Sequence, residues 1–213
     1  MFVSGRTIDG DQGTGDKCDI PVHIYHGGLT GSITAFHWGS HFGTRDQALF
    51  AILAKGIRDN HDNVPFTPYL YECKHRLQTE DVSRMSRDWG SPLHNAALYM
   101  YLTTLGRVKK RTELWREHDL GSPNNNSVAL SFLKKEMLDD QCKALSYSNL
   151  IEGSALSYMI LDPSDIVNIV QITPCKDELN DAFKLNFQAL VPHRDPQEKY
   201  QLMSKALSFC PPC

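Results

Sequence analysis

The sequence lacks any long apolar segment, and this absence excludes several classes of protein. No apolar run approaches the roughly 20 residues that a membrane-spanning helix needs. The first 19 residues are polar and rich in glycine and aspartate, without the apolar core of a secretory signal peptide. We expect no membrane association and no export by the general secretory route, although a specialised bacterial secretion system leaves no such mark.

The chain also lacks an excess of either charge. Its 213 residues include 22 basic and 25 acidic side chains, which give a formal net charge of -3. A balance of this kind supplies no broad basic surface for the phosphates of nucleic acid or for anionic lipid. We therefore expect no nucleic-acid partner.

Cysteine is sparse, and four of the six residues are widely separated in the sequence. This distribution favours reduced thiols over a dense disulfide framework. The other two form Cys210-Pro-Pro-Cys213, whose spacing occurs in redox and zinc sites. Because neither a following helix nor a second cysteine pair accompanies it, we assign it no metal or redox function.

What is present is the composition of a globular domain, with 41% hydrophobic and 22% charged residues. Residues 1–19 predict a flexible arm, and residues 20–213 are long enough for one domain, which we expect to be monomeric. Strand and helix patterns mix without βαβ regularity, which favours an α+β fold. The predicted strands cover 21–25, 69–77, 157–163 and 165–172, the predicted helices cover 44–56, 93–105, 128–145 and 196–209, and 183–190 is assigned to neither class.

Two short motifs place a histidine next to glycine. His26 ends an alternating strand pattern and precedes Gly27 and Gly28, and His41 lies in the segment Gly39-Ser-His-Phe-Gly-Thr44 before a predicted helix. Glycine has no side chain to block a ligand and tolerates backbone angles that other residues avoid. The two motifs therefore predict a small-molecule cleft.

These motifs, followed by a glutamate and a Ser-Tyr-Met-Ile-Leu-Asp-Pro strand, resemble the ADP-ribosyltransferase superfamily, in the branch of poly-ADP-ribose polymerases and diphtheria-type toxins. The resemblance covers about residues 21–172. It implies two small β-sheets packed face to face around an NAD cleft, with helices outside. It also implies that NAD is bound by Tyr25, His26, Gly27, Gly28, Phe42, Gly43 and Thr44.

The third motif of the family is where this chain differs. In poly-ADP-ribose polymerases a glutamate directly precedes the tyrosine of the strand, whereas this chain has Ser157 before Tyr158. The segment Tyr147-x-Asn149-x-x-Glu152 instead resembles the third motif of bacterial effector mono-ADP-ribosyltransferases, including the type that modifies a threonine of ubiquitin. This resemblance implies that Glu152 is the catalytic carboxylate and that Asn149 and Tyr147 orient it or the acceptor.

The chemistry of the implied reaction accounts for these residue types. Breaking the nicotinamide–ribose bond passes through an oxocarbenium-like species, which a carboxylate beside the ribose stabilises. Nicotinamide leaves as a neutral molecule, so no general acid is required. Its carboxamide needs a backbone clamp, assigned to Gly27, and its ring needs a flat wall. We expect His41, Phe42 and Tyr25 to form the wall, with His41 in place of the tyrosine of the best-known members, and His26 to hold an adenosine-ribose hydroxyl.

The expected function is therefore mono-ADP-ribosyl transfer from NAD to a host protein side chain, with a threonine hydroxyl of ubiquitin as a candidate acceptor and without a metal. The protein would act as a bacterial effector in a host cytosol. Two alternatives stay open, an NAD glycohydrolase and an inactive NAD-fold module that binds a partner protein. A zinc site at His37 and His41 is disfavoured, because Gly39 lies between them and no glutamate follows His37.

Overall fold

The computed structural model describes residues 20–29, 31–59, 66–85, 93–149 and 155–186, with separate positions between 197 and 212. The predicted arm 1–19 and Glu152 lie outside the described residues. The strands are β1 (His23–Gly28), β2 (Ser40–Phe42), β3 (Tyr69–His75), β4 (Val82–Arg84), β5 (Ala144–Ser148), β6 (Leu156–Ile160) and β7 (Ile166–Ile172). The helices are α1 (Arg45–Asp59), α2 (His94–Thr104), α3 (Val108–His118), α4 (Asn126–Asp139) and α5 (Lys176–Asn186).

The strands form two small sheets, which a pair of backbone hydrogen bonds links between Tyr25 and Gly43. One sheet has the order β1-β3-β7 and is antiparallel, and the other has the order β2-β6-β5-β4, in which β4 and β5 run parallel. Tyr25 and Gly43 exchange two backbone hydrogen bonds of 2.9 Å each, which join β1 to the end of β2. We call this pair the sheet junction. The mixed α+β architecture with two small sheets is confirmed.

Three apolar clusters separate the layers. Side chains of both sheets fill the inter-sheet cluster, so the sheets face each other across Ile24, Phe36, Phe42, Tyr71, Cys73, Leu77, Val82, Ala144, Tyr158 and Ile160. The opposite face of the three-stranded sheet packs on the α1–α5 cluster, which includes Leu49, Ile52, Leu53, Leu70, Leu179 and Phe183. The opposite face of the four-stranded sheet packs on the α2–α4 cluster, which includes Leu98, Tyr101, Leu133, Met137, Leu145 and Met159.

Helix α1 begins directly after the sheet junction, as predicted. The Oγ1 atom of Thr44 accepts from the Gln47 N–H at 3.3 Å, and Gln47 Oε1 accepts from the Thr44 N–H at 2.9 Å, a reciprocal N-terminal cap. Gln47 Nε2 donates to the Ala155 carbonyl at 3.0 Å, so the same side chain holds the chain entering β6. Among the described helices α1 is the longest, at 15 residues, and none is long and apolar enough to cross a membrane.

Two element predictions are corrected by the structure. The first strand continues past Tyr25 to Gly28, because β3 supplies pairing partners as far as Tyr69. Residues 144–148 form β5, whereas the sequence pattern divides them between a helix and a turn-rich segment. β5 is stabilised by ladders to β4 and β6 on either side, which a local pattern does not reveal.

The expectation of reduced thiols is wrong for Cys175. Cys175 is disulfide-bonded, whereas Cys73, Cys142 and Cys210 are free and buried. Burial raises the pKa of the Cys73 thiol to about 12 and that of Cys210 to about 11. These thiols therefore stay protonated at neutral pH and are poor nucleophiles.

Gly27 is a position where the fold leaves no room for a side chain. A Cβ atom there would lie 2.0 Å from the Ala48 carbonyl oxygen and 2.9 Å from Cγ1 of Ile52, both in α1. The absence of a side chain thus allows the close approach of α1 to β1. Close packing therefore gives a reason for glycine at position 27, where the sequence analysis gives ligand binding as the reason.

Replacing Gly27 with alanine should lower the free energy of unfolding by about 2 to 3 kcal/mol, because α1 must move away from β1. Urea unfolding followed by circular dichroism measures this change. Gly121→Ala is a matched control, since no atom lies within 4 Å of a Cβ built there. It should change the free energy by less than about 0.5 kcal/mol. Equal effects of the two substitutions would show that the Ala48 contact does not limit the packing.

Candidate active site

The two glycine-flanked histidines are linked beside the sheet junction. His26 Nδ1 lies 2.7 Å from the carbonyl oxygen of His41. A carbonyl oxygen only accepts, so Nδ1 carries the proton and Nε2 of the neutral ring is an acceptor. Lys55 of α1 lies 3.5 Å from this Nε2 and also donates to the carbonyl of Gly27. The predicted pair is brought together, with a cation that the sequence analysis missed.

His41 also contacts the predicted site residue Tyr147. Its Nδ1 lies 2.7 Å from the Tyr147 hydroxyl, with the rings nearly perpendicular at 85° and their centroids 5.8 Å apart. The contact forms because β2 and β5 pair with the two sides of β6, opposite Met159 and Ser157 respectively. Asn149 follows β5 and is partly exposed. Its predicted role beside Glu152 stays a prediction.

The aromatic surroundings differ from the predicted wall. Phe42 contacts His26 with ring centroids 5.7 Å apart, and Phe36 and Tyr71 lie at 5.1 and 6.4 Å from the same imidazole. Tyr25 lies on the other face of β1, because side chains alternate along a strand, and packs against the α1–α5 cluster. Phe36 and Tyr71 therefore surround the histidine in place of Tyr25.

The backbone groups of Gly27 lie beside the sheet junction, and the predicted role of this glycine as a nicotinamide clamp stays a prediction. The N–H and C=O of Tyr25 face β2 in the sheet junction, and strand alternation turns those of Gly27 to the same side. The carbonyl of Gly27 accepts a hydrogen bond from Lys55.

Three further predicted NAD-binding residues have contacts that hold the scaffold. Gly28 pairs with Tyr69 of β3, Gly43 forms half of the sheet junction, and Thr44 caps α1. A Cβ at Gly43 would lie 2.6 Å from Oε1 of Gln47, the capping partner of Thr44. Their contact with NAD stays a prediction.

Burial lowers the pKa of both histidines to about 4. The positive charge of Lys55 adds to the effect on His26, which the His41 carbonyl opposes, and His94, His26 and Lys55 add to the effect on His41. Both imidazoles are therefore neutral at neutral pH. His94 is the first residue of α2. The sequence analysis missed it, because no local motif surrounds it in the sequence.

The described part of the site holds no carboxylate next to the histidines. No acidic side chain contributes to the pKa shift of His26 or of His41. Ser157, at the position of the glutamate in poly-ADP-ribose polymerases, is 1% exposed, and its hydroxyl has no hydrogen-bond partner among the described residues. Glu152 lies outside the described residues, and its role as the catalytic carboxylate stays a prediction.

A separate pocket of about 330 Å³ lies on α2, α3 and the turn after α3. Tyr99 and Trp115 meet edge to face in it, with centroids 5.5 Å apart, and the guanidinium of Arg111 lies 4.2 Å above the Tyr99 ring. The remaining lining residues are Asn95, Ala96, Met100, Leu120 and Gly121.

No protein-family model, curated protein or solved structure matches this chain. In the ranges that the structure describes, no group of three or more histidine, cysteine, aspartate and glutamate side chains is arranged to hold a metal ion.

Acid should destabilise the protein through the two buried histidines. Their folded pKa of about 4 lies below the ordinary value of 6.5, so the unfolded chain binds more protons as the pH falls between these values. The free energy of unfolding should fall across this window by up to about 3 kcal/mol for each histidine. Urea unfolding between pH 7.5 and pH 4.5 measures it. A His41→Gln variant with the same pH dependence as the natural chain would contradict this origin.

Removing the charge of Lys55 should raise the pKa of His26, because that charge opposes protonation. In Lys55→Met the pKa should stay below 6.5, since burial is the larger cause. An NMR titration of the histidine side chains measures both values. Lys135→Met removes an exposed lysine of α4 that pairs with Asp139, and should leave His26 unchanged. An unchanged pKa in Lys55→Met would show that the ammonium does not act on the ring.

Proposed function

We propose that this protein is a mono-ADP-ribosyltransferase that uses NAD and releases nicotinamide. The observation that carries the proposal is the hydrogen bond between His26 and His41 at the point where two small sheets separate. The two histidines are 15 positions apart, each beside glycine, and belong to different sheets. This arrangement matches the cleft that the family resemblance implies.

The charges of the site suit NAD. The nicotinamide ring of NAD is cationic, and neutral His26 and His41 do not repel it. Phe36 and Phe42 give the neighbourhood of His26 an apolar character suited to a flat ring. The ammonium of Lys55, close to His26, is suited to the diphosphate oxygens of the same molecule.

In the proposed reaction the bond between the nicotinamide nitrogen and C1′ of the ribose breaks, and its electron pair leaves with nicotinamide. The oxygen of the acceptor hydroxyl forms a bond to C1′ and releases its proton to water. Glu152 would stabilise the positive charge that develops on the ribose, with Tyr147 and Asn149 beside it in sequence.

The acceptor and the setting follow from the resemblance to bacterial effectors. A protein hydroxyl is the proposed acceptor class, with a threonine of ubiquitin as its first candidate. The host cytosol is the proposed place of action.

Glu152→Gln should lower ADP-ribose transfer by about 10² to 10³-fold while NAD binding is retained, because it removes charge stabilisation of the transition state. The assay incubates the protein with labelled NAD, with and without ubiquitin, and separates labelled protein from free ADP-ribose by mass spectrometry. Glu117→Gln, at an exposed position of α3, is the matched control and should behave as the natural chain. Label only in free ADP-ribose would identify a glycohydrolase, and full transfer by Glu152→Gln would remove the catalytic assignment.

The pocket on α2 and α3 favours a second candidate, a module that binds a partner protein. Tyrosine, tryptophan and arginine are the residues enriched at the centres of protein interfaces, and Tyr99, Trp115 and Arg111 meet there. In the labelled-NAD assay, complete absence of nicotinamide release would favour this candidate over the transferase.

A further inference from the structure

His94 is held at the start of α2 by a residue of another helix. Asn126 of α4 accepts through Oδ1 from the backbone N–H of His94 at 2.5 Å and from that of Asn95 at 3.3 Å. Leu93, at the N-cap position, supplies no side-chain cap of its own. Asn126 therefore caps α2 from outside, and its amide orientation is determined by two backbone donors.

This cap selects the tautomer of the His94 ring. With Oδ1 of Asn126 facing the backbone, its Nδ2 is the atom that lies 3.2 Å from Nδ1 of His94. An amide nitrogen donates and does not accept, so Nδ1 of the neutral imidazole is the acceptor and Nε2 carries the proton. Burial lowers the pKa of His94, which favours this neutral form.

The Nε2 atom is directed at the edge of the candidate active site. A Cβ at Gly39 would lie 3.0 Å from this nitrogen, so glycine allows the His94 ring to lie against the backbone before β2, and the φ of +74° at this position also favours glycine. Gly39 precedes Ser40 and His41 of β2, and His94 contributes to the lowered pKa of His41. No residue that the structure describes forms a hydrogen bond with Nε2.

We propose that His94 is a further substrate-binding residue, whose Nε2–H donates a hydrogen bond to an oxygen atom of the nicotinamide dinucleotide. The inference rests on the proposed function and adds to it a residue outside the three motifs. The complementary polarity of the imidazoles supports it: Nε2 of His26 accepts and suits a hydroxyl, whereas Nε2 of His94 donates and suits a carbonyl or phosphate oxygen. The dinucleotide carries both kinds of oxygen, in its carboxamide and in its diphosphate.

Histidine ¹⁵N NMR tests the inference in the full chain. In the free protein, Nε2 of His94 should be protonated and Nδ1 unprotonated. A non-hydrolysable NAD analogue should shift the signals of His26, His41 and His94, and leave His118, which packs on Phe132 of α4, unchanged. Nicotinamide and ADP-ribose, added separately, distinguish a carboxamide oxygen from a diphosphate oxygen as the acceptor.

Substitutions separate hydrogen bonding from packing. His94→Phe should weaken binding of the analogue about tenfold, and His94→Gln, which retains an N–H, should restore most of it. In Asn126→Asp the proton of the His94 ring should move to Nδ1, because a carboxylate only accepts. The added negative charge should also raise the pKa of His94. At a pH above that raised pKa, the variant should bind the analogue more weakly, to a similar extent as His94→Phe. Asn124→Asp adds the same charge at an exposed position nearby and should bind as the natural chain does.

The outcomes distinguish this inference from the proposed function. If the analogue shifts none of the three histidines, both are overturned. If it shifts His26 and His41 but not His94, or if His94→Phe and Asn126→Asp bind it normally, the His94 inference alone is overturned. Reversal of the tautomer in Asn126→Asp together with weaker binding supports it, since a merely structural role for His94 predicts no dependence on the position of its proton.

Discussion

The two backbone hydrogen bonds between Tyr25 and Gly43 are the constraint on which the rest of the structure depends. They link the two sheets through backbone atoms. Beyond this link β1 pairs with β3, and β2 pairs with β6. His26 comes directly after this point on β1, and His41 comes shortly before it on β2. α1 starts shortly after Gly43 and packs closely on Gly27, where an added Cβ atom would lie 2.0 Å from the Ala48 carbonyl oxygen. The proximity of the two imidazoles is thus a consequence of where the pairing between β1 and the end of β2 stops.

The electrostatics of this gap follow from burial more than from ion pairs. His26 and His41 lose their affinity for protons because water is excluded and because Lys55 is close. The hydrogen-bond partners of His26 and His94 determine the tautomer of each ring. Nε2 of His26 is therefore an acceptor, and Nε2 of His94 is a donor. Neutral imidazoles of this kind bind a ligand through hydrogen bonds and not through ion pairs.

Sequence patterns predicted the elements that have strong local signals. α1 was found because Thr44 caps it and an apolar stripe follows, and β3 was found because its side chains alternate. β4 has three residues and β5 five, too few for a periodicity, and their pairing partners lie far away in the sequence. The sequence analysis assigned His41 and Tyr147 to the same site but did not predict the contact between them.

The sequence alone determined the identity and order of the glycine-flanked histidines and the α+β class, because both depend on residues that are neighbours along the chain. Only the tertiary structure decided that Tyr25 faces away from Phe42, that Phe36 and Tyr71 surround His26, and that Lys55 and His94 join the site. The physical reason is that strand pairing and helix packing set which side chains meet, over separations that no local motif records.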